Sequence, residues 1–236
     1  MSTSPQYYDL IETFHETGCA ICHLLQRDAT RFIDSLLYEY VTKLQTNDTF
    51  RSGRGLCNTH SWQMAEFTGR ALGIAMLSNM VVDEIQKVTA KSSPGQSSGL
   101  ARLLNKQQTS SSLADALEST EACPVCDLVS RAEQHYVEVI ATHLDDSRFI
   151  DAFQDSGGLC LPHVRQTLRQ ITDPAQSETF MKIQGEKWAT LQAELKEFIR
   201  KYDINNAREA MGAEGDSWRR AIRYLAGEDD IFGLRR

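Results

Sequence analysis

Four short stretches use every cysteine in the chain, and they form two matched sets. The first is Cys19-Ala20-Ile21-Cys22, followed by Gly55-Leu56-Cys57-Asn58-Thr59-His60. The second is Cys123-Pro124-Val125-Cys126, followed by Gly158-Leu159-Cys160-Leu161-Pro162-His163. Each reads C-x-x-C, a gap, then G-L-C-x-x-H. The gap is 34 residues between Cys22 and Cys57 and 33 between Cys126 and Cys160. Three thiolates and one imidazole are the donors of a closed tetrahedral zinc site. The fold must therefore bring donors that are distant along the chain to a common point.

The spacing suits helix starts. Two cysteines separated by two residues can present both sulfurs to one ion from a tight turn. Cys57 and His60, like Cys160 and His163, are three apart and face the same side of a helix. A helix beginning at the second cysteine of each C-x-x-C would direct its N–H groups and positive end at the thiolates, lowering their pKa. The glycine before each L-C allows a tight entry. Three thiolates on Zn²⁺ carry a net negative charge, which Arg27 and Arg131, one turn beyond each C-x-x-C, can offset from outside the ligand set.

The sets belong to an internal duplication. Cys19, Cys22, Leu24 and Arg27 align with Cys123, Cys126, Leu128 and Arg131. Asp48, Phe50, Gly55, Leu56, Cys57, His60 and Gln63 align with Asp151, Phe153, Gly158, Leu159, Cys160, His163 and Gln166. Core positions keep their character, as in Phe32/Tyr136, Ile33/Val137 and Leu36/Ile140. A lone C-x-x-C is weak evidence of a site, but two copies with matching partners and helix faces are strong evidence of a repeat. Sequence order then suggests that each half closes its own site, with interleaved ligation as the alternative. One site would hold Cys19, Cys22, Cys57 and His60, and the other Cys123, Cys126, Cys160 and His163. The other histidines, His15, His23, His135 and His143, align with Ser119, Asp127, Arg31 and Glu39. They are not repeated, so they are not expected to be ligands.

Apolar residues recur at helical spacing throughout, and no segment alternates with period two, so the chain is expected to be all-α. The expected plan is a duplicated helical metal-binding unit plus C-terminal helices. Residues 1–90 and 113–203 would be the repeats, 91–112 a Ser/Gly/Gln-rich linker, and 204–236 a final helix and tail. The run from Ala71 to Val82 reads as a buried helix. The stripe Trp188, Leu191, Leu195, Phe198 reads as helix packing.

Charge and length narrow the function. A net charge of −7 disfavours general nucleic-acid binding, which depends on clustered basic surface. The N-terminus lacks a basic and apolar leader, and no run reaches the ~18 apolar residues of a membrane helix. A cytoplasmic protein is expected. Six cysteines could make three disulfides in a secreted chain, but in a reducing compartment this spacing reads as metal ligation.

The tandem C-x-x-C…G-L-C-x-x-H pattern in a helical chain of this size resembles a prokaryotic family of proteins of unknown function. The resemblance spans roughly Gly18 to His163, with Trp218-Arg219-Arg220 as further support. It implies bacterial or archaeal cytoplasm and no particular activity.

The leading expectation is a non-enzymatic scaffold or protein-interaction module with two structural zinc ions and a protein partner. The chain adds no Ser/His/Asp set, phosphate loop or dinucleotide fingerprint to these ligands. The alternative is iron–sulfur electron transfer or redox sensing with the same donors, since a histidine can replace one cysteine of a cluster. Thiol–disulfide exchange ranks lower, because redox C-x-x-C motifs normally sit in a βαβ setting.

Overall fold

The structure is a computed structural model that describes residues 4–40, 44–91, 110–206, 208–229 and 231. Eleven α-helices appear among these residues, with no strand, as the periodicity predicts. They are α1 (Pro5–Thr13), α2 (Ala20–Ser35), α3 (Leu44–Ser52), α4 (Asn58–Ala65), α5 (Ala71–Lys91) and α6 (Ser110–Leu117). They continue with α7 (Pro124–Thr142), α8 (Ser147–Asp155), α9 (Leu161–Gln170), α10 (Pro174–Lys201) and α11 (Ser217–Ala226). A π-helical turn, Leu36–Tyr40, extends α2, and a 3₁₀ turn, Ala213–Asp216, leads into α11. The expected linker falls mainly on 92–109, outside the described residues. At its far edge, Ser110 to Ser112 already belong to α6.

The chain packs as two compact units, and they are not the sequence repeats. One unit is Met1–Asp28 with Val129–Arg236, and the other is Ala29–Leu128. Helix α2 begins in the first unit and ends in the second, while α7 does the reverse. Helix geometry explains the exchange. At 1.5 Å per residue, α2 and its π turn carry the chain ~30 Å into the second unit, and α3, only ~13 Å long, stays within it. Likewise α7 carries the chain ~28 Å into the first unit, and α8, ~13 Å long, stays there. Neither G-L-C-x-x-H segment is carried back to the start of the helix that follows its own C-x-x-C.

In the first unit, the core is aromatic. Phe14, Phe149, Phe153 and Phe180 are fully buried. Phe153 stacks on Phe180 at 5.6 Å with an interplanar angle of 3°, and Phe14 lies 5.4 Å from Phe153. This cluster joins α8 to α10 and to the end of α1. Asp173 starts α10 by accepting from Ala175 N at 2.8 Å. Phe153→Ala should cost about 3–5 kcal/mol in urea unfolding, because a buried ring is lost and its neighbours cannot fully collapse.

In the second unit, Ile33, Leu36, Leu37, Phe50, Leu56, Met64, Leu77, Val81 and Val125 form the core. The run Ala71–Val82 is helical but not a buried helix. Only Leu77 and Val81 are buried, while Leu72 is 75% exposed and Met76 and Val82 are also exposed. Among the described residues, α5 packs against α3, α4, α6 and the π turn. Gly73 does not interrupt it. A Cβ there would stand 2.9 Å from Leu37 O, so glycine permits this approach.

Candidate metal centres

Four helix N-termini carry the eight predicted donors. Cys19 and Cys123 immediately precede α2 and α7, which start one residue later, not at the second cysteine as the motif suggested. Cys22 and Cys126 fall in the first turns. Cys57 and Cys160 are the N-caps of α4 and α9, with extended backbones (φ −65°, ψ 168° and φ −70°, ψ 156°). Neither cap cysteine makes a side-chain capping bond, so its sulfur is not engaged by the helix's own amides. His60 and His163 follow one turn later on the same face. Gly55 and Gly158 take φ of +95° and +82°, the left-handed geometry that the G-L-C entry requires.

The donors converge in two groups, paired crosswise relative to the repeats. Cys19, Cys22, Cys160 and His163 form one group, and Cys57, His60, Cys123 and Cys126 form the other. Within each, all four ligand atoms lie within 4.8 Å of one another. This replaces the expectation that each half closes its own site, and the physical reason is that α2 and α7 each carry the chain into the other unit before the G-L-C-x-x-H segment follows. Each compact unit nevertheless contains one complete set. None of the six cysteines is in a disulfide.

In the first unit, His163 Nδ1 stands 3.1 Å from Cys160 Sγ, 3.3 Å from Cys19 Sγ and 3.5 Å from Cys22 Sγ. Cys22 and Cys160 sulfurs are 3.7 Å apart. Burial alone would raise the Cys19 thiol, but hydrogen bonding to Cys160 and Cys22 and the charge of His163 take it well below its ordinary value. Cys22 is raised by hydrogen bonding to Cys160 and Cys19 and by burial. Cys160 is raised chiefly through its hydrogen bond to Cys19. Burial would lower His163, but the Cys19 thiolate and hydrogen bonds to Cys160 and Glu133 hold it well above its usual value.

Glu133 and Gln184 shape this centre, and neither stands out in the sequence. Glu133 Oε1 lies 3.2 Å from His163 Nε2 and accepts from Gln166 Nε2 at 2.9 Å. With Nδ1 turned to the sulfurs, Nε2–H donates to the carboxylate, which orients the ring and raises its donor strength. Gln166 has a repeat counterpart in Gln63, but Glu133 aligns with Ala29 and so leaves no duplicated signal. Gln184 is fully buried. It accepts from Leu159 N at 2.9 Å and donates to Leu159 O at 3.1 Å, fixing the backbone just before Cys160. A Cβ on Gly158 would stand 3.0 Å from the same amide. Tyr224 on α11 hydrogen-bonds Gly157 O, and a Cβ on Gly157 would approach Gly18 O to 3.1 Å. The two ligand loops thus meet backbone to backbone.

The second unit uses different supports. His60 Nδ1 is 3.2 Å from Cys57 Sγ, 3.4 Å from Cys126 Sγ and 3.5 Å from Cys123 Sγ, with Cys57 and Cys126 sulfurs 3.6 Å apart. Burial would raise the Cys123 thiol, but its hydrogen bond to His60 and backbone bonds lower it. Arg54, in the left-handed region at φ 54°, donates to Ala116 O at 2.9 Å, and Thr120 N donates to Ser52 O at 3.1 Å. These bonds tie the loop before Cys57 to the segment leading into Cys123.

Arg27, expected to offset the thiolate charge, is engaged elsewhere. Arg27 forks onto Asp9 at 2.7 and 3.2 Å, meets Asp28 at 3.2 Å and hydrogen-bonds the Tyr136 hydroxyl at 3.2 Å. The Asp9 hydrogen bonds raise its pKa, so this guanidinium serves a carboxylate network joining α1, α2 and α7. The fork fits a planar carboxylate better than a spherical sulfur. Arg131 is exposed. Among the unrepeated histidines, His23 bonds Thr17 O at 2.9 Å and His143 packs 4.9 Å from the Tyr7 ring. His15 and His135 are exposed.

The chain is similar to an "uncharacterized 23.9 kDa protein in xynA 3′ region" of Caldicellulosiruptor sp. (strain Rt8B.4). The two are 24% identical over 220 residues, which span 92% of this chain and 99% of the relative. No solved structure matches. Residues 7–231, which include all eight donors, match one family model, and the chain belongs to that family of unknown function, DUF6062.

Proposed function

We propose that this is a zinc-stabilised helical scaffold that works as a protein-interaction module in a reducing cytoplasm, with one structural Cys₃His ion in each unit. The donor spacing carries this reading. Tetrahedral Zn–S bonds of 2.3 Å place sulfurs about 3.8 Å apart, and the separations here are 3.6 and 3.7 Å. That spacing favours a single ion over an iron–sulfur cluster, whose cysteines must span several atoms. Four protein donors complete a tetrahedron and leave no position for water or substrate, which favours a structural role over a catalytic one.

Exposed apolar side chains support the interaction role. In the second unit, a cleft of about 370 Å³ is lined by Phe50, Leu56, Trp62, Met64, Ile74 and Val81. Trp62 is itself 69% exposed. In the first unit, α11 presents Trp218, Ile222 and Leu225 along one exposed stripe. Such surfaces favour protein partners, and the net charge of −7 disfavours nucleic acid. No helix among the described residues is long and apolar enough to cross a membrane.

Protein purified without oxygen should be colourless and hold two zinc ions per chain by elemental analysis. Brown, iron-rich protein with sulfide would replace this reading with the iron–sulfur one.

A further inference from the structure

The two donor sets are chemically alike but differently protected. In the first unit, Cys19 is 5% exposed, Cys22 0%, Cys160 1% and His163 0%. That histidine is also held through its far nitrogen by Glu133. In the second unit, Cys57, Cys123 and Cys126 are all partly exposed, and only His60 is buried. The residue aligned with Glu133 is Ala29, which has no group to orient His60. A solvent-borne reagent therefore meets cysteines at the surface of one set and buried cysteines in the other. Loss of a ligand's supporting carboxylate weakens metal retention by 10–100-fold in known sites.

Resting on the zinc reading above, we propose that the Cys57/His60/Cys123/Cys126 site is an oxidant-releasable metal site, while the Cys19/Cys22/Cys160/His163 site is a permanent one. The oxidant is hydrogen peroxide. One thiolate attacks the peroxide O–O bond, forming sulfenic acid and expelling hydroxide. A second thiolate attacks that sulfur, forming the S–S bond and expelling a second hydroxide. Two thiolates are oxidised by two electrons, peroxide is reduced to two hydroxides, and Zn²⁺ departs because two of its donors are gone. The Cys57 and Cys126 sulfurs, 3.6 Å apart, are close enough to form that bond with little movement. Release would untie the start of α4 from the start of α7 and leave the first unit's ion in place.

The test uses the full-length protein loaded with two zinc ions and titrated with hydrogen peroxide. Freed zinc is followed with a chromogenic chelator, and oxidised cysteines are mapped by differential alkylation and mass spectrometry. One zinc should leave first, with a disulfide confined to Cys57, Cys123 and Cys126, and the second should leave at least about tenfold more slowly. Cys19, Cys22 and Cys160 should still be reduced at that point. Equal release rates, or first oxidation within Cys19, Cys22 and Cys160, would overturn the proposal while leaving two bound zinc ions intact. A protein that holds no zinc before peroxide is added would instead overturn the zinc reading on which it rests.

Discussion

Replacing Cys22 and Cys160 together by serine should leave one zinc per chain, whereas replacing Cys22 and Cys57 together should leave none. The first pair sits in one donor group, so both changes damage the same site. The second pair takes one donor from each group. If each half of the chain closed its own site, the two results would be exchanged. Metal content of the purified variants, measured by native mass spectrometry, reads the pairing directly. The single variant Cys160→Ser should lose the same zinc as Cys22→Ser, despite lying 138 residues away. A structural ion contributes folding free energy outright, so the damaged unit should also melt earlier, while the intact site keeps its ion.

Chelation of both ions should lower the melting temperature by roughly 15–30 °C. At free zinc a thousandfold above the dissociation constant, bound metal stabilises by about 4 kcal/mol per site. For a chain of this size, each kcal/mol shifts the midpoint by about 2–4 °C. The effect should also depend on pH. In the metal-free first unit, Cys22 and Cys160 are raised and His163 is held well above its usual value. All three retain protons at neutral pH, and zinc must displace them. Proton release should accompany zinc uptake, and the affinity should rise with pH. The stabilisation is therefore full at high pH and is lost as acid reclaims the donors. Calorimetric titration in buffers of different ionisation enthalpy counts those protons. A pH-independent affinity would mean that the sulfurs and the imidazole are not the ligands.

The Cys and His residues that cluster, the all-α class and the helix-start placement were legible because each has a local signal. Cys57-x-x-His60 and Cys160-x-x-His163 show their shared face through spacing alone, and the glycines at 55 and 158 mark the left-handed turn before them. The signals failed where a property depends on what packs opposite. The apolar run Ala71–Val82 looks fully buried, but only Leu77 and Val81 of it are buried. Arg27 stands one turn beyond a cysteine pair, but Asp9 on α1 claims its guanidinium. Glu133 carries no mark in the sequence, because its repeat counterpart is alanine and its role appears only when α7 lies beside α9.

Pairing of the donors shows the same division. Residue identity and spacing set how many donors there are, of what kind, and that each pair opens a helix. Local chemistry is enough for that, because thiolate, imidazole and helix periodicity act over a few residues. Which C-x-x-C meets which C-x-x-H depends on where the chain arrives after α2 and after α7. A long helix that crosses from one unit to the other, followed by a short one that stays there, leaves each G-L-C-x-x-H in the unit other than that of its own C-x-x-C. There it meets the other repeat's cysteines, an outcome set by element lengths and packing and not by the motif.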